Sequence, residues 1–348
     1  MFYLALLSNR AITTTFKDPL PGFEAACDMP YINWTQPFAY PDGALDLADL
    51  YYKGMSENNP ERYFPNEGLI NSTMYNMTYV VNQAMEHGTK FGFFHDQNLT
   101  NYPPSNSEVP YVIAASNRGQ TYKLSLNPYH RQQLWSFGLT PETAYMCGFF
   151  YLCSPNTAVQ ELYKPYWEAL SRPGLLKIGI MVRVGDSVFQ GNAQSDNATA
   201  IQLVDGPGDV YFRCAAALEK AYRVPGQEVV WYLMSDSLGF RQAAKNKFGA
   251  KVMTDLSTKI VHPDCKTHNP RACQSNAMGR SMQDSIGQLF TYSLADYHIH
   301  TSLSGFGRLG AWASGKYNNL FEIENDKQEC DPRKPTPHHQ SADTWSFV

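Results

Sequence analysis

Charge is scarce in this chain of 348 residues: Asp, Glu, Lys and Arg make up 17% of it, against about 25% in an average soluble protein. No lysine/arginine cluster occurs, and the formal net charge is -4, which argues against an electrostatic grip on nucleic acid or anionic membrane. No apolar run approaches the roughly 20 residues of a membrane span, so a membrane anchor is absent from this chain and would belong to a longer form. Internal repeats and low-complexity blocks are missing, as are the G-x-S-x-G, H-E-x-x-H and P-loop patterns.

What is present is a 43% hydrophobic content, enough for real cores, and 14% aromatic residues. That balance suits a surface of uncharged polar and aromatic groups, of the kind used on carbohydrates. The length suits two domains. The opening Met1–Leu7 (MFYLALL) meets Ser8, Asn9 and Arg10 at once, too short for a signal segment, and reads as the end of a helix that begins earlier. Sequons stand at Asn33, Asn71, Asn76, Asn98 and Asn197. Seven cysteines (Cys27, Cys147, Cys153, Cys214, Cys265, Cys273, Cys330) allow a few disulfides and leave one over, through a lost partner or a free core thiol. Together these features point to a secretory lumen.

Residues 1–171 are rich in Tyr, Asn, Pro and aromatics and weakly periodic. Ala44–Lys53 and Thr73–Glu86 predict helices, and Pro110–Ala114 a short buried strand. Asn156–Leu170 predicts a helix, with Ala158, Leu162, Tyr166 and Leu170 at four-residue steps and a kink at Pro165. Its Ser171-Arg172-Pro173-Gly174 stop marks the expected domain boundary, giving domains over 1–171 and 172–330 and a tail over 331–348.

Beyond that stop, strand and helix alternate. Leu175–Val184, Val229–Met234, Ala250–Thr254, Tyr297–Thr301 and Asn319–Ile323 predict strands. Asp209–Tyr222, Leu238–Phe248, Ser281–Leu294 and Ser304–Ser314 predict helices. This pattern predicts an α/β, Rossmann-like, doubly wound parallel sheet.

In such sheets ligands bind outside the carboxyl ends of the strands. The first strand ends in Arg183-Val184-Gly185-Asp186, the second in Ser235-Asp236-Ser237. The Tyr297–Thr301 strand runs into Ser304-Gly305-Phe306-Gly307 and a helix. A serine cap and side-chain-free glycines at a helix N-terminus suit a phosphate, and Arg183 is the natural second jaw. The bland alternatives are a plain cap at Ser304 and a structural Arg183–Asp186 pair. Gly305-Phe306-Gly307-Arg308-Leu309-Gly310 also spells G-x-G-x-x-G, with Glu322 and Glu324 near the spacing of a ribose-binding acid. A dinucleotide site should lie on the first strand of its fold, however, and here only 24 residues follow Glu324. Ser281 and Asp284 fit a capping box. His262, Cys265, His268 and Cys273 could outline a metal site or hold a short Cys265–Cys273 disulfide. His298 and His300 share one face of a strand and read as packing.

Taken together, these elements resemble the fucosyltransferases of the GT-B type. KIGIMVRVGD (Lys177–Asp186) is similar to their arginine-bearing strand motif. VVWYLMSDS (Val229–Ser237), followed by KVMTD (Lys251–Asp255), is similar to their second motif, and Ser285–Ser314 to their third. Ala5–Phe16 and Asp28–Trp34 resemble more loosely the end of the family's first helix and the strand after it. The family's first strand and its Asn-containing turn have no counterpart, which implies an N-terminally incomplete chain.

The resemblance implies α/β architecture with two Rossmann-like domains facing a cleft. It implies inverting transfer of L-fucose from GDP-fucose to a glycan or glycoprotein hydroxyl in the Golgi or ER lumen, without metal or cofactor. Arg183 would bind the diphosphate and stabilise departing GDP. Ser304, Gly305, Phe306 and Gly307 would hold the same phosphates, and Ser235, Asp236 and Ser237 would line the nucleotide pocket. Asp284, or failing it Gln288, would meet guanine. Some members carry a carboxylate base just after the arginine motif; Ser187–Gly191 offers none, leaving Asp186 as the candidate base. The rival readings are a transferase of another nucleotide sugar, a non-catalytic glycan-binding relative, and an NAD-dependent enzyme.

Overall fold

The computed structural model describes residues 2–9, 11–12, 23–34, 67–69, 78–82, 97–100, 111–115, 121–185, 197–257, 275–302 and 304–346. In chain order the strands are β1 (Cys27–Asp28), β2 (Glu67–Leu69), β3 (Thr78–Asn82), β4 (Tyr111–Ala115), β5 (Ser154–Pro155), β6 (Leu175–Val182), β7 (Glu228–Ser235), β8 (Val252–Met253), β9 (Tyr297–Thr301) and β10 (Leu320–Ile323). The chain divides into two compact units, one of residues 1–17, 30–152 and 342–348, the other of 18–29 and 153–341.

The first unit holds a three-stranded sheet in the order β2-β3-β4, with β2 and β3 antiparallel and β3 and β4 parallel. Strand β3 replaces part of the helix expected over Thr73–Glu86. Its TYVVN sequence is rich in the β-branched and aromatic residues that a pleated surface favours. Strand β4 lies one residue from the predicted Pro110–Ala114, and Ala44–Lys53 lies outside the described residues. The helices Thr121–Ser125, Arg131–Ser136 and Ala144–Leu152 were not legible. The last reads AYMCGFFYL, apolar nearly all round, so no stripe marks it. Helix Phe2–Leu7 matches the expected helical opening, and the Tyr3 hydroxyl donates to the Ala144 carbonyl.

The second unit is built on a five-stranded parallel sheet in the order β10-β9-β6-β7-β8. Alternate residues of β6 serve opposite faces. Ile178, Ile180 and Val182 join Val210, Phe212, Cys214 and Leu218 of helix Asp209–Tyr222 in one core. On the other face Gly179 lies under helix Ser275–Ser293, where a Cβ would come within 2.6 Å of the Tyr292 ring. Both faces are covered, so the strands read as continuous apolar runs. His298 and His300 are buried on the strand β9, as packing residues should be. Burial holds the His298 ring neutral, with its pKa lowered to about 3, although Nε2 lies 3.0 Å from the Tyr292 carbonyl.

The unit boundary falls at 152/153 rather than at 171, which corrects the expected division. Helix Thr157–Leu170, capped by the Asn156 side chain and running through Pro165, packs on helix Ser275–Ser293. The Tyr163 ring fills the space over Gly287, and the Trp167 indole donates to Thr291 Oγ1 at 2.8 Å. The Pro173-Gly174 turn therefore joins a helix to a strand inside one unit. Upstream, β1 and β5 pair antiparallel and a disulfide joins Cys27 to Cys153.

The expected tail over 331–348 is tied to the second unit through its first residues. A second disulfide joins Cys214 to Cys330, and the Thr336 N–H donates to the Leu320 carbonyl at the edge of β10. A helix follows over His338–Ser346. Among the described cysteines Cys147 is left over as an exposed thiol rather than a core one. Cys265 and Cys273 lie outside the described residues, with His262 and His268. Among the described residues no helix is long and apolar enough to cross a membrane.

Candidate functional site

The strand order reverses between β6 and β9: β7 and β8 follow β6 to one side, β9 and β10 lie on the other. Two parallel strands whose crossovers leave in opposite directions open a crevice at their carboxyl ends, where open α/β sheets bind ligands. Arg183 follows β6 and Ser304 follows β9, so two of the predicted site residues flank this switch point.

The loop after β6 is held by a buried carboxylate. Asp236, 5% exposed at the end of β7, accepts the N–H of Val184 at 2.8 Å and of Gly185 at 3.2 Å, and pairs with Arg183 Nε at 3.3 Å. Gly185 has φ +116°, a conformation open to glycine. Burial pushes the Asp236 pKa up, while the Val184 N–H and the Arg183 guanidinium pull the other way. Asp236 thus aims Arg183, while Asp186, the partner that the sequence offered, lies outside the described residues. The Arg183 N–H also donates to Thr301 Oγ1 at 2.9 Å, and that hydroxyl is 2.8 Å from the Tyr211 hydroxyl. These bonds draw the ends of β6 and β9 together. The Arg183 side chain itself stays about one-third exposed.

The serines beside Asp236 are occupied in building the turn. Ser235 Oγ accepts the Ser237 N–H at 3.2 Å, and Ser237 Oγ caps helix Leu238–Phe248 by accepting the Phe240 N–H at 3.1 Å. Both are nearly fully buried.

On the β9 side Ser304 stands at the N-cap of helix Gly305–Ala313 but makes no side-chain cap bond; its hydroxyl faces the Met181 sulfur at 3.5 Å. The first N–H groups of a helix have no acceptor within it and carry its positive end, so this turn suits an anion. Gly305 and Phe306 are half-buried. Gly307 serves packing: a Cβ there would lie 2.7 Å from the His300 Cβ. Arg308 and Glu322 form a buried ion pair with contacts of 3.0 and 3.2 Å. Glu322 is thereby spent on a protein partner and is not a ribose acid.

Asp284 sits elsewhere. Helix Ser275–Ser293 begins six residues before Ser281, so Ser281 and Asp284 lie inside it and form no capping box. The fully buried Asp284 carboxylate accepts Arg280 Nε at 3.0 and 3.2 Å and the Tyr163 hydroxyl at 3.1 Å. The Tyr163 hydroxyl is also 3.3 Å from Asp255, whose backbone carbonyl receives the buried Arg241 guanidinium. Burial raises the Asp284 pKa against the pull of Arg280. Gln288, one turn on, is 2% exposed. Asp284 therefore belongs to an internal cluster joining helix Thr157–Leu170 to helix Ser275–Ser293, not to the group around Arg183. Asp186, the candidate base, lies outside the described residues.

Sequence reasoning missed Thr301, Tyr211, Arg308 and Asp255. Only Thr301, closing a strand at the switch point, carried a positional signal.

No protein-family model and no curated protein sequence matches the chain. Among solved structures, an arginine-to-lysine mutant of Arabidopsis thaliana FUT1 in complex with GDP is similar, with TM-score 0.53 and 17% identity over 93% of this chain and 66% of that one. The chain thus spans just under two thirds of the plant structure's length. NodZ α-1,6-fucosyltransferase co-crystallised with GDP aligns over 59% of this chain and 51% of that one, with TM-score 0.33 and 14% identity. The likeness to the plant structure shows a shared α/β fold, the class that the alternating strands and helices led one to expect.

Proposed function

We propose that this chain is a fucosyltransferase, moving L-fucose from GDP-fucose to a hydroxyl of a glycan or glycoprotein, with inversion and without a metal. The observation that carries this reading is the pairing, across one switch point, of a guanidinium aimed by Asp236 with a helix N-terminus that the Ser304 side chain does not cap. Two cationic elements facing one crevice suit a diphosphate, and they can take up the charge that develops on departing GDP. The fold likeness to a GDP-bound fucosyltransferase supports guanosine as the nucleoside.

Arg183 is the leaving-group residue in this reading. Gly305 and Phe306 offer backbone N–H groups to the same phosphates, with Ser304 beside them. Ser235, Ser237 and Asp236 build the wall rather than touch the ligand. Asp284 is unsuited to guanine recognition, since its carboxylate is fully buried and held by Arg280 and Tyr163. The two disulfides among the described residues fit an oxidising compartment, in keeping with a Golgi or ER lumen.

The NAD-dependent reading loses its support in two places. Gly307 is needed for contact with His300, and Glu322 is taken by Arg308.

The test is thermal denaturation of the purified chain with GDP, UDP, NAD or no ligand. Ligand at about 100 times its Kd adds about 2.7 kcal/mol, a shift of a few degrees. A shift with GDP alone, lost in Arg183→Ala, is expected. A cooperative melt indifferent to GDP overturns the proposal.

A further inference from the structure

The Glu322 carboxylate collects four donors. Oε1 accepts Arg308 Nε at 3.0 Å and the Ser341 hydroxyl at 2.5 Å; Oε2 accepts Arg308 Nη2 at 3.2 Å and the Ser302 hydroxyl at 3.4 Å. Arg308 is wholly buried and Glu322 7% exposed. Burial opposes the charge on Glu322, yet the His300 ring, Arg308 and Ser341 hold its carboxyl below the usual range.

The placement of these donors matters more than their number. Ser302 precedes Ser304 in the connection from β9, and Arg308 lies one helical turn after it. A single carboxylate therefore fastens the chain on both sides of the Ser304–Gly307 turn. The fork-to-fork geometry of Arg308 sets direction as well as distance. Behind Glu322, Thr336 accepts its backbone N–H at 3.0 Å, and the Ser341 hydroxyl comes from helix His338–Ser346. The connection to that helix starts at Cys330, stapled to Cys214.

We propose that Glu322 is a positioning residue for the anion-binding turn, and that the C-terminal helix completes it through Ser341. Glu322 touches no substrate. It holds Arg308, and through Arg308 the direction in which the N–H groups of Gly305 and Phe306 point. The segment after Cys330 is in this sense part of the donor site. The inference rests on the GDP-fucose reading for the identity of the anion, and on geometry alone for the positioning.

Two measurements on Ser341→Ala, Ser341→Thr and Glu322→Gln keep those apart. The first is hydrogen exchange of the amides at 304–308. The second is titration with GDP below the melting range. Ser341→Ala is the mild change, removing one of the two donors to Oε1; Glu322→Gln is the severe one. Loss of one charge-assisted bond corresponds to about tenfold in an equilibrium. The expected result for Ser341→Ala is exchange about tenfold faster at 304–308 and GDP binding three- to tenfold weaker, with amides of β6 and β7 unchanged. Ser341→Thr, which keeps the hydroxyl, restores both.

A purely structural role predicts instead a lower melting point with exchange at 304–308 and GDP affinity unchanged in the folded protein. That outcome overturns the proposal, even if Glu322→Gln fails to fold. Faster exchange at 304–308 in a protein whose wild type ignores GDP supports the positioning and overturns only the donor reading.

Discussion

Asp236 and Arg183 belong to different strand ends, 53 residues apart, and are joined by an ion pair at 3.3 Å in which the acid is buried and the base is not. The asymmetry has a physical meaning. The carboxylate is held by two backbone N–H groups, so its position does not depend on the arginine. Asp236 engages the guanidinium at its Nε, and the side chain stays about one-third exposed.

Asp236→Ala should therefore damage the site although the carboxylate itself is buried. Two N–H groups lose their acceptor and Arg183 loses its orientation. The expected cost is about 2–3 kcal/mol in urea denaturation, together with loss of the GDP-induced thermal shift. Retention of the full shift would show that Arg183 needs no such aim.

The buried His298 makes stability depend on pH. Its folded pKa of about 3 lies below the ordinary 6.5, so the unfolded chain takes up the proton first. Stability is complete above pH 6.5 and is lost as pH falls towards 3. At pH 5 this amounts to about 2 kcal/mol. In His298→Asn that part of the slope between pH 6.5 and pH 4 should vanish, as read from urea midpoints at each pH.

Gly287→Ala should be among the more costly single methyl additions in the second unit. The new Cβ would meet the Tyr163 ring at 2.2 Å, and Tyr163 is fixed by its bonds to Asp284 and Asp255. Overpacking of this kind costs about 1–3 kcal/mol. Ala at Gly279 of the same helix, which has open space around it, is the control and should change little.

Removing the Cys214–Cys330 link by Cys214→Ser should lower stability by roughly 2–4 kcal/mol, since it closes a long loop of chain. Equilibrium unfolding with and without reductant measures it. Comparing the two oxidised proteins isolates this link, because reductant opens Cys27–Cys153 as well and should lower wild type and variant alike to a common stability.

Much of the second unit was legible because its signals are local. Helices Asp209–Tyr222 and Leu238–Phe248 and the strand β9 fall where the apolar runs and caps placed them. Arg183 stood out as a charge closing an apolar strand. What could not be read depends on partners far along the chain. The acceptor for the N–H groups after Arg183 is Asp236, and nothing in the sequence marks that pairing. Asp284 shows both limits: S-x-x-D imitates a cap although the helix starts at Ser275, and nothing in the sequence marks Arg280 and Tyr163 as the partners of its carboxylate. The first unit was read poorly because its described elements are short and lack amphipathic contrast.

The Cys27–Cys153 bond closes a circuit of 126 positions whose two ends are both anchored in the second unit. Lengthening a closed loop costs only logarithmically in its length, about 0.6 kcal/mol for each doubling. Insertions and deletions between residues 30 and 152 should therefore be cheap for the parallel sheet and its crevice, and that stretch is free to diverge while the second unit keeps its form.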